Sequence, residues 1–308
     1  MKRYTVVRSS VSILLTTAIF AFILRRVPLA ALAAALRDAD RGRFLALMIP
    51  NTLFYFAWDT LVLTVTVRWF HGPVRYRELL PVRAASYVIG FFNTNLGRGA
   101  MAAYLSRRLH APFLELSSTV LFLVLTEYTQ LVLWAMLGLL GLRVDVSRSL
   151  LAVASAVAVL WVLVRWLIAP RGWSISRTFR LATPKRYAAT VLLRAPMFLA
   201  SLVLHYHAAH AFGIHIPFAQ MLTFLPVIFM VAALPVTVAH LGSTQAAWIF
   251  FFSQYAPAPR LMAFSLAAHL VFAFTRAVCG VLWLPVAYAD LVPKSDEATL
   301  APSTTFAR

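Results

Sequence analysis

The sequence holds a single cysteine, Cys279, among 308 residues. One thiol excludes an internal disulfide framework and a cysteine-based metal site. Acids are also scarce: ten Asp and Glu stand against 28 Lys and Arg, giving a net charge of +18. No GxSxG, HExxH or glycine-rich phosphate loop occurs, so the common hydrolase, metalloprotease and nucleotide-binding chemistries have no motif to rest on. Long polar stretches are missing as well. After Leu291 only a polar tail, 292–308, remains, and no soluble domain is expected.

What is present is apolar. The chain is 61% hydrophobic and 12% charged, with a mean hydropathy of +0.80. A soluble protein of this length could not cover that much apolar surface, and runs of about 20 apolar residues recur throughout. The expected fold class is all-α: a polytopic integral membrane protein with about six to eight transmembrane helices over 1–291. Helices are expected over 9–25, 44–67, 112–141, 149–168, 187–212 and 260–288. The stretch PLAALAAALRDADRGR between the first two reads as a helix lying in the interface. The basic start before 9–25 resembles a signal peptide, but Arg25 and Arg26 follow the apolar run directly, so a retained helix is expected.

Two apolar segments are broken in the middle. One spans 79–105 and is interrupted at FFNTNLGRG; the other spans 218–254 and is interrupted between Pro235 and Gln245. A proline ring cannot continue the helical hydrogen-bond ladder. Lipid cannot satisfy the freed backbone groups, which must face protein or a water-filled cavity. Such a break marks either a re-entrant helix pair or an ordinary extramembrane loop. Each broken segment is followed by Ala-Pro (Ala111-Pro112 and Ala258-Pro259) and then a long helix with a mid-helix charge, Glu127 or Arg276. The repeated order of parts points to two repeats, about 44–168 and 187–288, of the inverted kind used by many transporters. With both breaks re-entrant and the N-terminus cytoplasmic, eighteen basic residues fall inside, eight outside, and Arg194 and Arg276 within the membrane. That split follows the positive-inside rule.

Chemistry-bearing residues are few. Asp38 and Asp40 form an acidic pair in the first loop, as in membrane glycosyltransferases that use polyprenyl-linked sugars; the plain alternative is a solvated helix end. His205, His207 and His210 share no single helical face and have no carboxylate close in sequence. They read as snorkelling interfacial histidines, and no metal site and no cofactor are expected. Polar stripes inside the apolar helices carry more: Asn51, Tyr55, Asp59 and Thr66; Glu127, Gln130 and Trp134; Thr190, Arg194, Ser201 and His205; Ser265, His269, Arg276 and Gly280. A charge at the bilayer centre costs at least about 2.5–3.5 kcal/mol, so these faces should turn inward. At the breaks, Asn93, Asn95 and Arg98 offer donors, and His240, Ser243, Thr244 and Gln245 offer donors and acceptors.

Several of these residues together resemble the membrane region of lysylphosphatidylglycerol synthases and its flippase-like relatives, over about 10–288. The resemblance lies in Asn93, Leu96, Gly97, Arg98 and Gly99 of the first break, in Glu127, in the run from Pro235 to the turn at Gly242, and in Arg276 ahead of Gly280. Leu96, Ala100, Tyr128 and Gln245 stand where the family pattern has Pro, an acid, Arg and an acid. The resemblance implies an inner-membrane, multi-pass protein of bacterial type that handles lipids; in the synthases it implies flipping of an aminoacylated phospholipid. No aminoacyl-transfer domain accompanies it here, so lipid synthesis is not implied. The expected partners are a membrane phospholipid or polyprenyl lipid and anionic lipid headgroups, with no nucleic acid. Lipid translocation or binding is the leading function. A glycosyltransferase-like enzyme using Asp38 and Asp40, or a non-catalytic accessory subunit, are the alternatives.

Overall fold

A computed structural model of the chain describes residues 28–92, 94–141, 172–233 and 242–289. The expected helices over 9–25 and 149–168, the break at 234–241 with His240, Asn93 itself and the tail 292–308 lie outside the described residues. Within them the fold is all-α, as expected. Ten helices follow one another: α1 (Leu29–Asp38), α2 (Arg41–His71), α3 (Tyr76–Phe92), α4 (Thr94–Leu109), α5 (Phe113–Gly141), α6 (Arg177–Leu181), α7 (Pro184–His210), α8 (Phe218–Ala233), α9 (Ser243–Phe252) and α10 (Ala258–Ala289).

Four of them, α2, α5, α7 and α10, are long and apolar enough to cross a membrane. At 1.5 Å per residue they run about 40–48 Å, longer than a hydrocarbon core of about 30 Å, so they tilt or project beyond it. Each presents an exposed apolar stripe at helical spacing: Leu45, Ile49 and Leu53 on α2, Leu133 and Leu137 on α5, Leu192 and Leu199 on α7, Phe274, Val278 and Leu282 on α10. Stripes of this kind suit contact with lipid tails. Local signals fix the helix starts. Asp40 caps α2 by accepting the Arg43 N–H at 3.0 Å. Thr183 caps α7 by accepting the Arg186 N–H at 3.2 Å, with Pro184 at the first helical position.

Helices α2 and α7 pair antiparallel through the centre. Asp40 N–H donates to the Ala211 carbonyl at one end (2.8 Å). Ser201 Oγ donates to Asn51 Oδ1 near the middle (3.0 Å), and Trp58 Nε1 donates to the Leu193 carbonyl further along (2.6 Å). The first broken segment folds into a helical hairpin. Arg108 and Glu78 pair at its open end (3.6 Å), Arg83 Nη1 reaches Met101 Sδ further in (3.3 Å), and the backbones meet at Gly90 and Gly97 near the tip. A Cβ on Gly97 would sit 2.7 Å from Gly90 Cα and from the Ser86 carbonyl oxygen, so only glycine permits this approach. The second broken segment forms a shorter hairpin, in which Phe224 of α8 stacks on Phe251 of α9 with ring centroids 4.7 Å apart.

The hairpins enter from opposite ends. The α3–α4 hairpin opens beside the C-terminus of α2; the α8–α9 hairpin opens beside the C-terminus of the antiparallel α7. Exchange of the two halves preserves the packing: α3 lies on α10 as α8 lies on α5, α2 on α10 as α7 on α5, and α4 on α5 as α9 on α10. Each half-to-half crossing is set by one glycine. A Cβ on Gly280 would meet Val88 Cγ2 at 2.5 Å and the Ala84 oxygen at 2.7 Å, and a Cβ on Gly138 would meet Thr223 at 2.5 Å. The arrangement is an inverted repeat of long helix, hairpin, long helix, with the two halves interlocked by their hairpins. The short elements follow the same rule: α1 packs on α10, and α6 packs on α5, where Arg177 reaches Glu115 at 3.2 Å.

Two expectations are corrected. Arg83, one of the eighteen basic residues assigned by sequence to the inner side, lies inside α3 and pairs with the buried Asp59. His205 does not snorkel to an interface. It is buried against Phe229 and Phe264, and its Nδ1 lies 2.7 Å from the Ser201 carbonyl one turn before it.

Candidate functional site

At mid-height between the two hairpins lies a cavity of about 350 Å³. Helix periodicity explains its lining. Asn51, Tyr55 and Asp59 recur every four residues on α2 and so share one face. Spacings of three, four and seven likewise put Glu127 and Gln130 on one face of α5, Arg194, Ser201 and His205 on one face of α7, and Ser265, His269 and Arg276 on one face of α10; all of them line the cavity. The hairpin helices contribute further lining: Arg83, Tyr87 and Gly90 from α3, Gly97 and Arg98 from α4, Ala232 from α8 and Thr244 from α9.

Asp59 is the centre of a charge cluster. It pairs with Arg83, whose Nε donates to Asp59 Oδ2 at 2.6 Å. Arg194 Nη1 lies 3.6 Å from Asp59 Oδ1, and the Tyr87 hydroxyl donates to Oδ2 at 3.4 Å. One carboxylate thus serves two arginines drawn from different halves of the repeat. Arg194 is only 2% exposed, yet its Nε and Nη1 have no hydrogen-bond partner. The Asn51 amide nitrogen is likewise buried without a partner. Buried donors of this kind are uncommon, and each calls for a water, an ion or a ligand.

Glu127 and Arg276, the two mid-helix charges, both line the cavity without forming a pair among the described ion pairs. Glu127 Oε1 accepts from the Tyr55 hydroxyl at 3.3 Å. Arg276 stacks on aromatic rings instead of on a carboxylate. Its guanidinium carbon lies 3.5 Å from the Tyr87 ring centroid and 4.8 Å from that of Phe272, and its Nε has no partner. The ring faces offset part of the cost of the charge and leave the planar edge of the guanidinium free for an anion.

The remaining sequence candidates divide. Arg98 and Thr244 reach the cavity. Asn95 sits in the first turn of α4 and Ser243 at the start of α9. Gln245 does not line the cavity. Its Oε1 accepts the Gly242 N–H at 2.7 Å and so holds the turn into α9, where Gly242 takes φ +90°, a conformation that favours glycine. Asp38 ends α1, and the side chain of Asp40 is engaged in capping α2. Among the described residues no group of three His, Cys, Asp or Glu could hold a metal ion. Sequence reasoning missed Arg83 and Tyr87, two members of the central cluster. The available signal was their spacing, since 83 and 87 fall one turn apart on an apolar helix.

Nothing among curated proteins or solved structures matches the chain significantly. The model of the family described as the lysylphosphatidylglycerol synthase TM region matches residues 9–280, most of the chain. The chain is therefore a helical membrane protein belonging to the lysylphosphatidylglycerol synthase TM region family.

Proposed function

We propose that this protein binds a membrane lipid with its headgroup in the central cavity and carries that lipid between the leaflets, acting as a transporter and not as an enzyme. One observation carries the reading: a charged cavity lies at the mid-height of long apolar helices, lined by residues of two oppositely inserted helix pairs. Charges at that depth are costly, and an amphiphile crossing the bilayer needs polar groups there to replace the water around its headgroup. The interlocked inverted halves supply a plan for opening toward one side and then the other. Phospholipids and polyprenyl lipids both have the required form, a polar group on an apolar tail. Membership of the family supports a lipid substrate, and the basic character of the chain fits an inner (plasma) membrane with anionic headgroups.

The test is reconstitution into vesicles carrying a fluorescent phospholipid in both leaflets, followed by quenching from outside. Loss of the protected inner-leaflet signal faster than in protein-free vesicles, slowed at least tenfold by Arg276→Gln, is the expected result. No acceleration over protein-free vesicles would contradict the reading.

A further inference from the structure

The cavity is not electrically balanced. Among the described residues, four arginines (Arg83, Arg98, Arg194 and Arg276) line it against two carboxylates, Asp59 and Glu127. With both acids ionised and the lining histidines neutral, two positive charges are in excess, and protonation of either acid only enlarges the excess. Asp59 is engaged by Arg83 and Arg194. Among the described ion pairs, neither Arg98 nor Arg276 has a carboxylate partner. These two arginines come from different halves of the repeat, Arg98 beside the first hairpin tip and Arg276 on the last long helix. Arg276 is held flat by the Tyr87 and Phe272 rings, leaving its edge to donate two parallel hydrogen bonds, the geometry that suits phosphate oxygens.

At membrane depth an excess of two charges, carried by partly buried side chains, is best offset by a ligand that brings about two negative charges. A phosphodiester headgroup brings one. A terminal phosphomonoester brings about 1.5 to 2, with three acceptor oxygens. A lysyl-carrying headgroup adds positive charge and worsens the balance. Resting on the lipid reading above, we infer that the occupant of this cavity is the terminal phosphomonoester headgroup of a lipid, bridged between Arg98 and Arg276, and not an aminoacylated headgroup.

The experiment measures binding to the purified full chain by native mass spectrometry and by thermal shift. The probes are phosphatidic acid, phosphatidylglycerol and lysylphosphatidylglycerol with identical acyl chains, and inorganic phosphate. Phosphatidic acid should reach half-saturation at a concentration at least tenfold lower than phosphatidylglycerol, with lysylphosphatidylglycerol weaker still. Arg276→Gln and, separately, Arg98→Gln should shrink that advantage below threefold; the second variant guards against a folding defect in the first. Equal binding of phosphatidic acid and phosphatidylglycerol, or tighter binding of lysylphosphatidylglycerol, would overturn the inference and leave the lipid reading standing. Protection by inorganic phosphate with no saturable lipid binding would overturn the lipid source itself.

Discussion

The guanidinium carbon of Arg276 lies 3.5 Å from the centre of the Tyr87 ring, and Tyr87 also donates its hydroxyl to Asp59. One tyrosine thus joins the charge of the last long helix to the ion cluster of the first half. Arg83 lies over the same ring at 4.9 Å. Tyr87 therefore links the two halves at the depth where the cavity sits, and changes to this group should be felt in both stability and binding.

Asp59→Asn should be strongly destabilising. It leaves the buried Arg194 and the partly buried Arg83 side by side without their common carboxylate, a loss of up to about 3–5 kcal/mol, the figure for a fully buried broken pair. Adding Arg83→Gln should recover part of that loss, because the second uncompensated charge is removed. Thermal unfolding of the purified protein in detergent, followed by tryptophan fluorescence, measures both.

Gly97 and Gly99 sit two residues apart on α4 and should respond oppositely to alanine. A Cβ at 97 meets backbone atoms at 2.7 Å, whereas one at 99 meets nothing within 4 Å. Gly97→Ala should cost about 1–3 kcal/mol by overpacking the hairpin. Gly99→Ala should be neutral or stabilising by up to about 1 kcal/mol through helix propensity. The same unfolding measurement decides, and equal effects at the two positions would contradict the hairpin geometry.

The opposed entry of the hairpins predicts the sidedness of two surface sites. Arg180 on α6 lies at the end of the bundle where α7 begins, and Ala258 opens α10 at the other end. Single cysteines at these positions, with Cys279 changed to Ser, should label from opposite faces of the membrane, Arg180 from the cytoplasmic one. Labelling of both from the same face would contradict the inverted repeat.

Asp38 and Asp40 test transport against catalysis. Asparagine at 40 still caps a helix, so the double change to Asn should leave translocation within twofold of the parent. Asp40→Ala should cost about 1 kcal/mol of stability through the lost cap. A loss of function from the double Asn variant, with Arg276→Gln active, would favour the glycosyltransferase reading.

Much of the fold could be read from the chain because membrane helices announce themselves. Proline, glycine and polar residues interrupting apolar runs marked both hairpins, and the four-residue spacing of Asn51, Tyr55 and Asp59 marked an inward face. The partner of Asp59 was not legible. Arg83 counts by sequence with the basic residues of the inner side although it falls inside the apolar segment 79–105, and only the packing of α3 against α2 brings it to a carboxylate 24 residues earlier in the chain. Gln245 looked like a ligand group but serves its own helix start, a local role that spacing does not reveal. His205 resembled its neighbours His207 and His210, yet its face turns into the aromatic core while His207 remains exposed. Gly138 carries no sequence signal of its own, and Gly280 is marked only as part of a stripe and of the family pattern; the packing role of both appears only where two halves of the repeat cross.

The central claim is that a lipid headgroup enters the cavity, and photo-cross-linking tests it most directly. A phospholipid with a photoreactive headgroup would be incorporated with the protein into nanodiscs, irradiated, and its adducts mapped by mass spectrometry. The account predicts adducts on cavity-lining segments around Gly97, Glu127 and Arg276, competed by unlabelled lipid and reduced by Arg276→Gln. Adducts confined to the exposed apolar perimeter, such as Phe250 and Leu282, and unaffected by that substitution, would contradict it.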